Sequence, residues 1–315
     1  MPARRRIIPS TAWPATLGAA AGAQADYGRS DRPDWRSVNW RTHLRAVTID
    51  GRRMHLVDIG SAPGTPLLLV HGLGGRWQNW LENIPRLARA RRVVALDLPG
   101  FGRSQLPRGE ISIAGYAAAI QHACDLLEIE SVVLVGNSMG GAVAARTALA
   151  APRLVERLVL VSAAAISIRN FNPAPGAALM ALISRTPLGT PDGVRSAMRR
   201  RRARHLAFAA LVRHPTLIET DMLTELVGGR GAPGLAAAMA AMIDGETAAE
   251  LEAIEQPTLI VQGREDMLVP LADSAWLRTQ IPHARLEAIE DTGHLPMVER
   301  PVRFNDLLLD FVTAP

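Results

Sequence analysis

The sequence predicts an α/β fold: a mostly parallel sheet of about eight strands, flanked by helices, with a helical cap inserted in the second half of the chain. Three observations predict it. Short β-branched runs alternate with helix-forming stretches, the pattern of crossover connections between parallel strands. Runs such as Leu67–Val70 and Val132–Val135 are apolar at every position, as strands buried on both faces must be. One long interval, from about Ser162 to Ala253, holds helix formers rich in Ala, Leu, Met and Arg and no convincing strand.

Taken in order, residues 1–42 read as a loosely ordered arm. Arg4–Arg6, Ile7–Ile8 and Ala23-Gln24-Ala25 loosely resemble an export signal with a cleavage site, but Pro9 and Pro14 interrupt the apolar run and Ser10, Thr11 and Thr16 dilute it. The expectation is therefore a cytoplasmic chain, with export as the alternative. Strands Leu44–Ile49 and Arg53–Ile59 flank Asp50-Gly51, a tight hairpin pair. Leu67–Val70, Arg92–Leu96, Val132–Val135, Leu158–Val161, Thr258–Val261 and Arg285–Ile289 follow as parallel strands. Helices are expected over Trp77–Leu87, Ile113–Leu127, Gly140–Ala150, Leu271–Thr279 and Val302–Phe311. The core then spans 43–163 and 252–315, and the cap 164–251. The cap would cover the carboxyl edge of the sheet, where open α/β folds bind ligands.

Composition sets limits. Hydrophobic residues make up 48% and charged residues 21%, a soluble globular balance, and no window of 18 apolar residues argues for a spanning helix. All 35 basic residues are Arg, yet the net charge is only +5 and is spread along the chain. With no zinc-finger or basic-aromatic motif, nucleic acid is not an expected partner. The lone Cys124 excludes an internal disulfide framework and a multi-thiol metal site, and reads as a packed thiol. Nothing in the sequence fixes the oligomeric state.

The decisive motif is Gly136-Asn137-Ser138-Met139-Gly140, between a buried strand and a helix. A nucleophile on so sharp a turn needs small neighbours, which Gly136, Gly140 and Gly141 supply, and the helix N-terminus favours developing negative charge. A serine hydroxyl also needs a base to accept its proton. His294, in Asp291-Thr292-Gly293-His294-Leu295-Pro296 after the last strand, is the candidate. His43, His55, His122, His205, His214 and His283 lack its glycine-turn setting. The base in turn needs a carboxylate, and Gly263–Pro270 offers two adjacent candidates, Glu265 and Asp266. The other position for such an acid, after the preceding strand, holds Ser162-Ala163-Ala164. Backbone N–H groups of Leu73, in His71-Gly72-Leu73-Gly74-Gly75, and of Met139 are the candidate oxyanion donors. Beside these four loops, Gly72, Asn137, Leu268 and Leu295 are candidates for the substrate pocket. No phosphate-binding glycine pattern occurs.

The segments His71–Gly75, Asp97–Ser104, Gly136–Gly141, Gly263–Pro270 and Gly293–Pro301 together resemble the motif set of the α/β-hydrolase superfamily, over about residues 45–160 and 255–315. The resemblance implies acyl transfer to water through an acyl-enzyme, with no metal or cofactor. It favours Asp266 over Glu265 as the acid and makes Asp97 and Arg103 loop-bracing residues, while His71 reads as bracing its own loop by hydrogen bonds. Haloalkane dehalogenases and epoxide hydrolases share the fold but use an aspartate nucleophile, so Ser138 argues against both. The Gly-Asn-Ser-Met-Gly-Gly elbow is similar to that of hydrolases cleaving carbon–carbon bonds of dienoate ring-fission products. The chain departs from that group in lacking Pro-Gly in the oxyanion loop and in carrying Leu295 where Trp often stands. The reading adopted is a carboxylic ester hydrolase for a small hydrophobic substrate. The alternatives are the C–C hydrolase and a non-catalytic binding protein. Met180, Met198, Met222, Met239 and Met242 in the cap suit either an adaptable apolar pocket or ordinary packing, and Arg199–Arg202 with Arg204 a solvated face or an anion-attracting one.

Overall fold

The computed structural model describes residues 26–163, 191–228, 231–243 and 250–314. Eight strands among them form one sheet: β1 (Leu44–Ile49), β2 (Arg52–Ile59), β3 (Leu67–Val70), β4 (Val93–Leu96), β5 (Val132–Asn137), β6 (Val155–Val161), β7 (Thr258–Gly263) and β8 (Ala284–Ile289). Their order is β1-β2-β4-β3-β5-β6-β7-β8. β2 runs antiparallel to both neighbours, and every other pairing is parallel. Asp50 and Gly51 make the hairpin turn with φ of 50° and 72°, the two positive values such a turn requires.

Strict alternation along the central strands builds two apolar layers. Leu68, Val70, Val94, Leu96, Leu134, Leu158 and Ile260 face one side, against helices α2 (Ile113–Leu126) and α3 (Met139–Ala150). Leu67, Leu69, Val93, Val133, Val135, Val159 and Val261 face the other. There they meet helix α1 (Ile84–Ala90) and the C-terminal helix (Pro301–Thr313), through Ile84, Leu87, Phe304 and Leu308. Cys124 lies in the first layer, fully buried, with its thiol pushed up to about 12 by that burial. It is a packing residue, as expected.

Two expectations are corrected. The single helix expected over Trp77–Leu87 is a 3-10 turn, Trp77–Trp80, followed by α1. Pro85 has no N–H to donate to the preceding turn, so it stands in the first turn of a new helix instead. The arm is not loose throughout: from Asp26 onward it packs on the core. Tyr27 is buried, the Trp35 indole donates to Glu82 at 2.9 Å, and Asp31 pairs with Arg86 at 2.8 Å. Its aromatic side chains supply the buried area that its irregular backbone does not advertise.

Between β6 and β7 the described residues form helices α4 (Pro191–Met198), α5 (Arg201–Phe208), α6 (Thr220–Val227) and α7 (Leu235–Ile243). The expected cap residues 164–190, with Met180, lie outside the described residues. Met198, Met222 and Met242 are packed into the two core layers, which favours ordinary packing for these three, while Met239 is half-buried. Arg199–Arg202 are exposed, but Arg204 staples the cap, bonding to the carbonyl of Ile218 at 3.2 Å and to the Thr220 hydroxyl.

Candidate active site

The chain crosses from one side of β3 to the other between β4 and β5, so the carboxyl ends of β3 and β5 flank the switch point of the sheet, where α/β folds open a ligand crevice. Ser138 stands there, at the end of β5, with φ 55° and ψ −116°. No ordinary side-chain-bearing residue prefers that conformation, and it persists because its surroundings force it. A Cβ on Gly136 would stand 2.1 Å from the Gly140 carbonyl oxygen, and one on Gly140 would stand 2.5 Å from that of Val70. Both glycines are therefore required by space. The Ser138 N–H donates to Val161 at 2.9 Å, which fixes the turn to β6. Gly72 lies directly against it: a Cβ there would meet Ser138 Cβ at 3.1 Å.

Asp266 and His294 come together from the loops after β7 and β8. His294 Nδ1 is 2.8 Å from Asp266 Oδ2, and both side chains are almost wholly buried. Asp266 Oδ1 accepts the backbone N–H groups of Leu268 and Val269 at 2.8 and 2.9 Å, and Oδ2 also accepts the Gln262 amide at 2.8 Å. Gln262 is itself held by the Ser274 hydroxyl at 2.7 Å. Glu265 points elsewhere, accepting the Thr292 N–H at 2.9 Å. Asp266, and not its neighbour, is thus the carboxylate at the imidazole. Among the described residues no hydrogen bond joins the Ser138 hydroxyl to the His294 ring, whose partner is Asp266. In ligand-free enzymes such contacts are commonly long and tighten on substrate binding.

Asn137 links the two halves of the site. Its amide donates to Val161 at 3.1 Å and to the His294 carbonyl at 3.5 Å, so the residue beside Ser138 braces the loop of His294. Leu295 is buried in the layer that holds Met297 and Phe304, and Leu268 is exposed. Met139 opens α3, where first-turn N–H groups lack intrahelical partners. Leu73 packs on the first core layer, and the loop around it is closed by a Gly75 N–H to Gly72 carbonyl bond of 3.0 Å.

The bracing residues behave as expected, with one difference. His71 is fully buried; Nδ1 bonds the Gly72 carbonyl at 2.7 Å and Nε2 accepts the Leu98 N–H at 3.1 Å. Burial holds its pKa below the ordinary 6.5, which matches a neutral ring accepting at Nε2. Asp97 accepts the N–H groups of Trp77 and Arg103, each at 2.9 Å. Arg103 contributes its backbone to that brace while the residue is exposed. Missed in the sequence were Gln262, Glu299, Arg300 and Tyr27. Glu299 falls inside the Gly293–Pro301 motif with no role assigned, whereas Tyr27 carries no local signal at all.

The model of the family described as Alpha/beta hydrolase family matches residues 67–307. The chain belongs to that family, and it is a hydrolase. It is 34% identical to a 2-hydroxymuconate semialdehyde hydrolase of Pseudomonas sp. (strain CF600), over 85% of this chain and 93% of that one. It is 32% identical to a 2-hydroxy-6-oxo-2,4-heptadienoate hydrolase of Pseudomonas putida, over 86% and 96%. Among solved structures it is similar to the esterase RhEst1 from a Rhodococcus species, with a TM-score of 0.70, 25% identity and coverage of 86% and 99%. Among the described residues no helix is long and apolar enough to cross a membrane.

Proposed function

We propose that this hydrolase cleaves carboxylic esters of hydrophobic acyl or alcohol groups, with Ser138 as nucleophile, His294 as general base and then acid, and Asp266 as its orienting carboxylate. The observation that carries this reading is the strained Ser138 turn at the switch point of the sheet, tied through the Asn137 amide to the loop of His294, whose ring is bonded at 2.8 Å to a buried carboxylate. Because Asp266 occupies Nδ1, Nε2 is the nitrogen free to accept the serine proton. Ser138 Oγ attacks the carbonyl carbon, and the N–H groups of Leu73 and Met139 receive the oxyanion. The tetrahedral species collapses, the alcohol leaves with the proton from His294, and water repeats the sequence on the acyl-enzyme. Gly72, Asn137, Leu268 and Leu295 border this centre. No step calls for a metal or cofactor.

A second reading, hydrolysis of a carbon–carbon bond in a dienoate ring-fission product, is favoured by the two Pseudomonas relatives. The absent Pro-Gly in the oxyanion loop and Leu295 after the base keep the ester reading first. Initial rates on short- and long-chain p-nitrophenyl esters, beside a dienoate ring-fission product, decide between them. Faster turnover of the dienoate reverses the order. No turnover of either, with no fluorophosphonate labelling of Ser138, removes the enzyme reading in favour of a binding protein.

A further inference from the structure

The structure assigns Glu299 as the positioning residue for His294, and Tyr27 as the clamp that joins that carboxylate to the cap. This rests on the reading of His294 as the base. Glu299 is fully buried on the short helix Pro296–Glu299 that follows the base. Its Oε2 accepts the Gly293 N–H at 2.9 Å and its Oε1 the Leu295 N–H at 3.1 Å, the two peptide groups on either side of His294. The N–H between them, that of His294 itself, donates to the Leu211 carbonyl of the cap at 2.9 Å. Three consecutive peptide groups around the base are therefore each pinned, the outer two by one carboxylate and the middle one by the cap.

The same Oε2 accepts the Arg213 N–H at 2.8 Å and the Tyr27 hydroxyl at 2.6 Å. That hydroxyl accepts the His214 N–H at 2.7 Å in turn, so Tyr27 relays between the cap backbone and Glu299. The tyrosine ring is held in place by the Arg300 guanidinium, 4.9 Å from its centroid, and by a T-shaped contact with the His214 ring. Gly293 has no room for a side chain: a Cβ would meet the Arg213 nitrogen at 2.9 Å and Val212 Cα at 3.1 Å. Cap and catalytic loop thus touch backbone to backbone, and a buried acceptor at their junction is what satisfies the donors facing it. An amide at position 299 offers one acceptor oxygen and, even with that oxygen in the Oε2 place, sets its NH2 group against the Leu295 N–H, which displaces the loop. Small displacements of a catalytic group are costly, on the order of a hundredfold for about 1 Å.

The test is the rate at which a fluorophosphonate labels Ser138 in the full-length protein, because the end-point counts folded sites while the rate reads the base. We expect Glu299→Gln to label at least about tenfold more slowly with an unchanged end-point, as a loop shift below that scale predicts. Tyr27→Phe keeps the ring and loses only the relay; it should slow labelling by about threefold and leaves the fold available if E299Q does not accumulate. Wild-type labelling rates in both variants overturn the proposal, as does an E299Q end-point that falls while its rate stays at the wild-type value. His294→Ala is the control for the underlying reading. Wild-type labelling there sinks the triad itself, whereas lost labelling there with unaffected E299Q and Y27F rates sinks the positioning role alone.

Discussion

The turn carrying Ser138 draws its restraints from close at hand: Gly136 and Gly140 within two residues, and Val70 and Val161 on the adjacent strands β3 and β6. The loop carrying His294 draws them from Tyr27, Leu211, Arg213 and Glu299, three of which lie on the N-terminal segment or the cap. The first is a local device, in which missing side chains let the backbone close on itself. The second is a distributed one, in which a buried carboxylate collects donors from segments up to 272 positions apart. A local device survives changes elsewhere in the chain but tolerates none of its own atoms growing. A distributed device tolerates local change and fails when a remote partner is lost.

Substitutions can break or sharpen this contrast. The largest effect is expected of Ser138→Gly: on the proposed reading, turnover of the ester or dienoate substrate should fall by at least about a thousandfold, since nucleophile and base act as a unit. The same change relieves a strained φ,ψ and should raise stability by about 1 kcal/mol in denaturant unfolding. A destabilised S138G would mean that the turn is not strained. Next, Asp266→Asn should lower kcat by about 10⁴-fold by favouring the wrong imidazole tautomer, with Glu265→Gln much milder. Equal losses would move the orienting role off Asp266.

The next effects are read on stability. A Cβ on Gly263 would stand 1.9 Å from the Gly293 carbonyl oxygen, because the loops after β7 and β8 approach backbone to backbone. Gly263→Ala should therefore cost about 3 kcal/mol in unfolding, and a neutral result would show that the two loops can part. The mildest expectation concerns pH. His71 is neutral in the fold, with its pKa held below 6.5 by burial, so the unfolded chain binds the extra proton first. Stability from this group is present above about pH 6.5 and is lost as pH falls below it toward the folded-state pKa. His71→Asn should flatten the acid limb of the unfolding midpoint; an unchanged slope assigns the effect elsewhere.

The same contrast explains what could be read in advance. Strand runs such as Leu67–Val70 and the glycines around Ser138 express their physics within a few residues, so the sheet and the elbow were legible. The preference for Asp266 over Glu265 was legible only through the resemblance, since spacing alone left both open. The helix over Trp77–Leu87 failed because apolar spacing outweighed Pro85, which lacks the donor a continuous helix requires. The arm was misjudged because Tyr27 and Trp35 find their partners hundreds or tens of positions away. Glu299 sat inside a recognised motif, yet its task depends on backbone groups of the cap that no local pattern announces.

Cys124, the one sulfhydryl in the chain, is sealed between a helix and the sheet with its proton held tightly. Mercurials, maleimides and mild oxidants therefore find nothing to react with while the domain is closed. Their uptake becomes a clock for the opening of its interior, read independently of anything that happens at the serine.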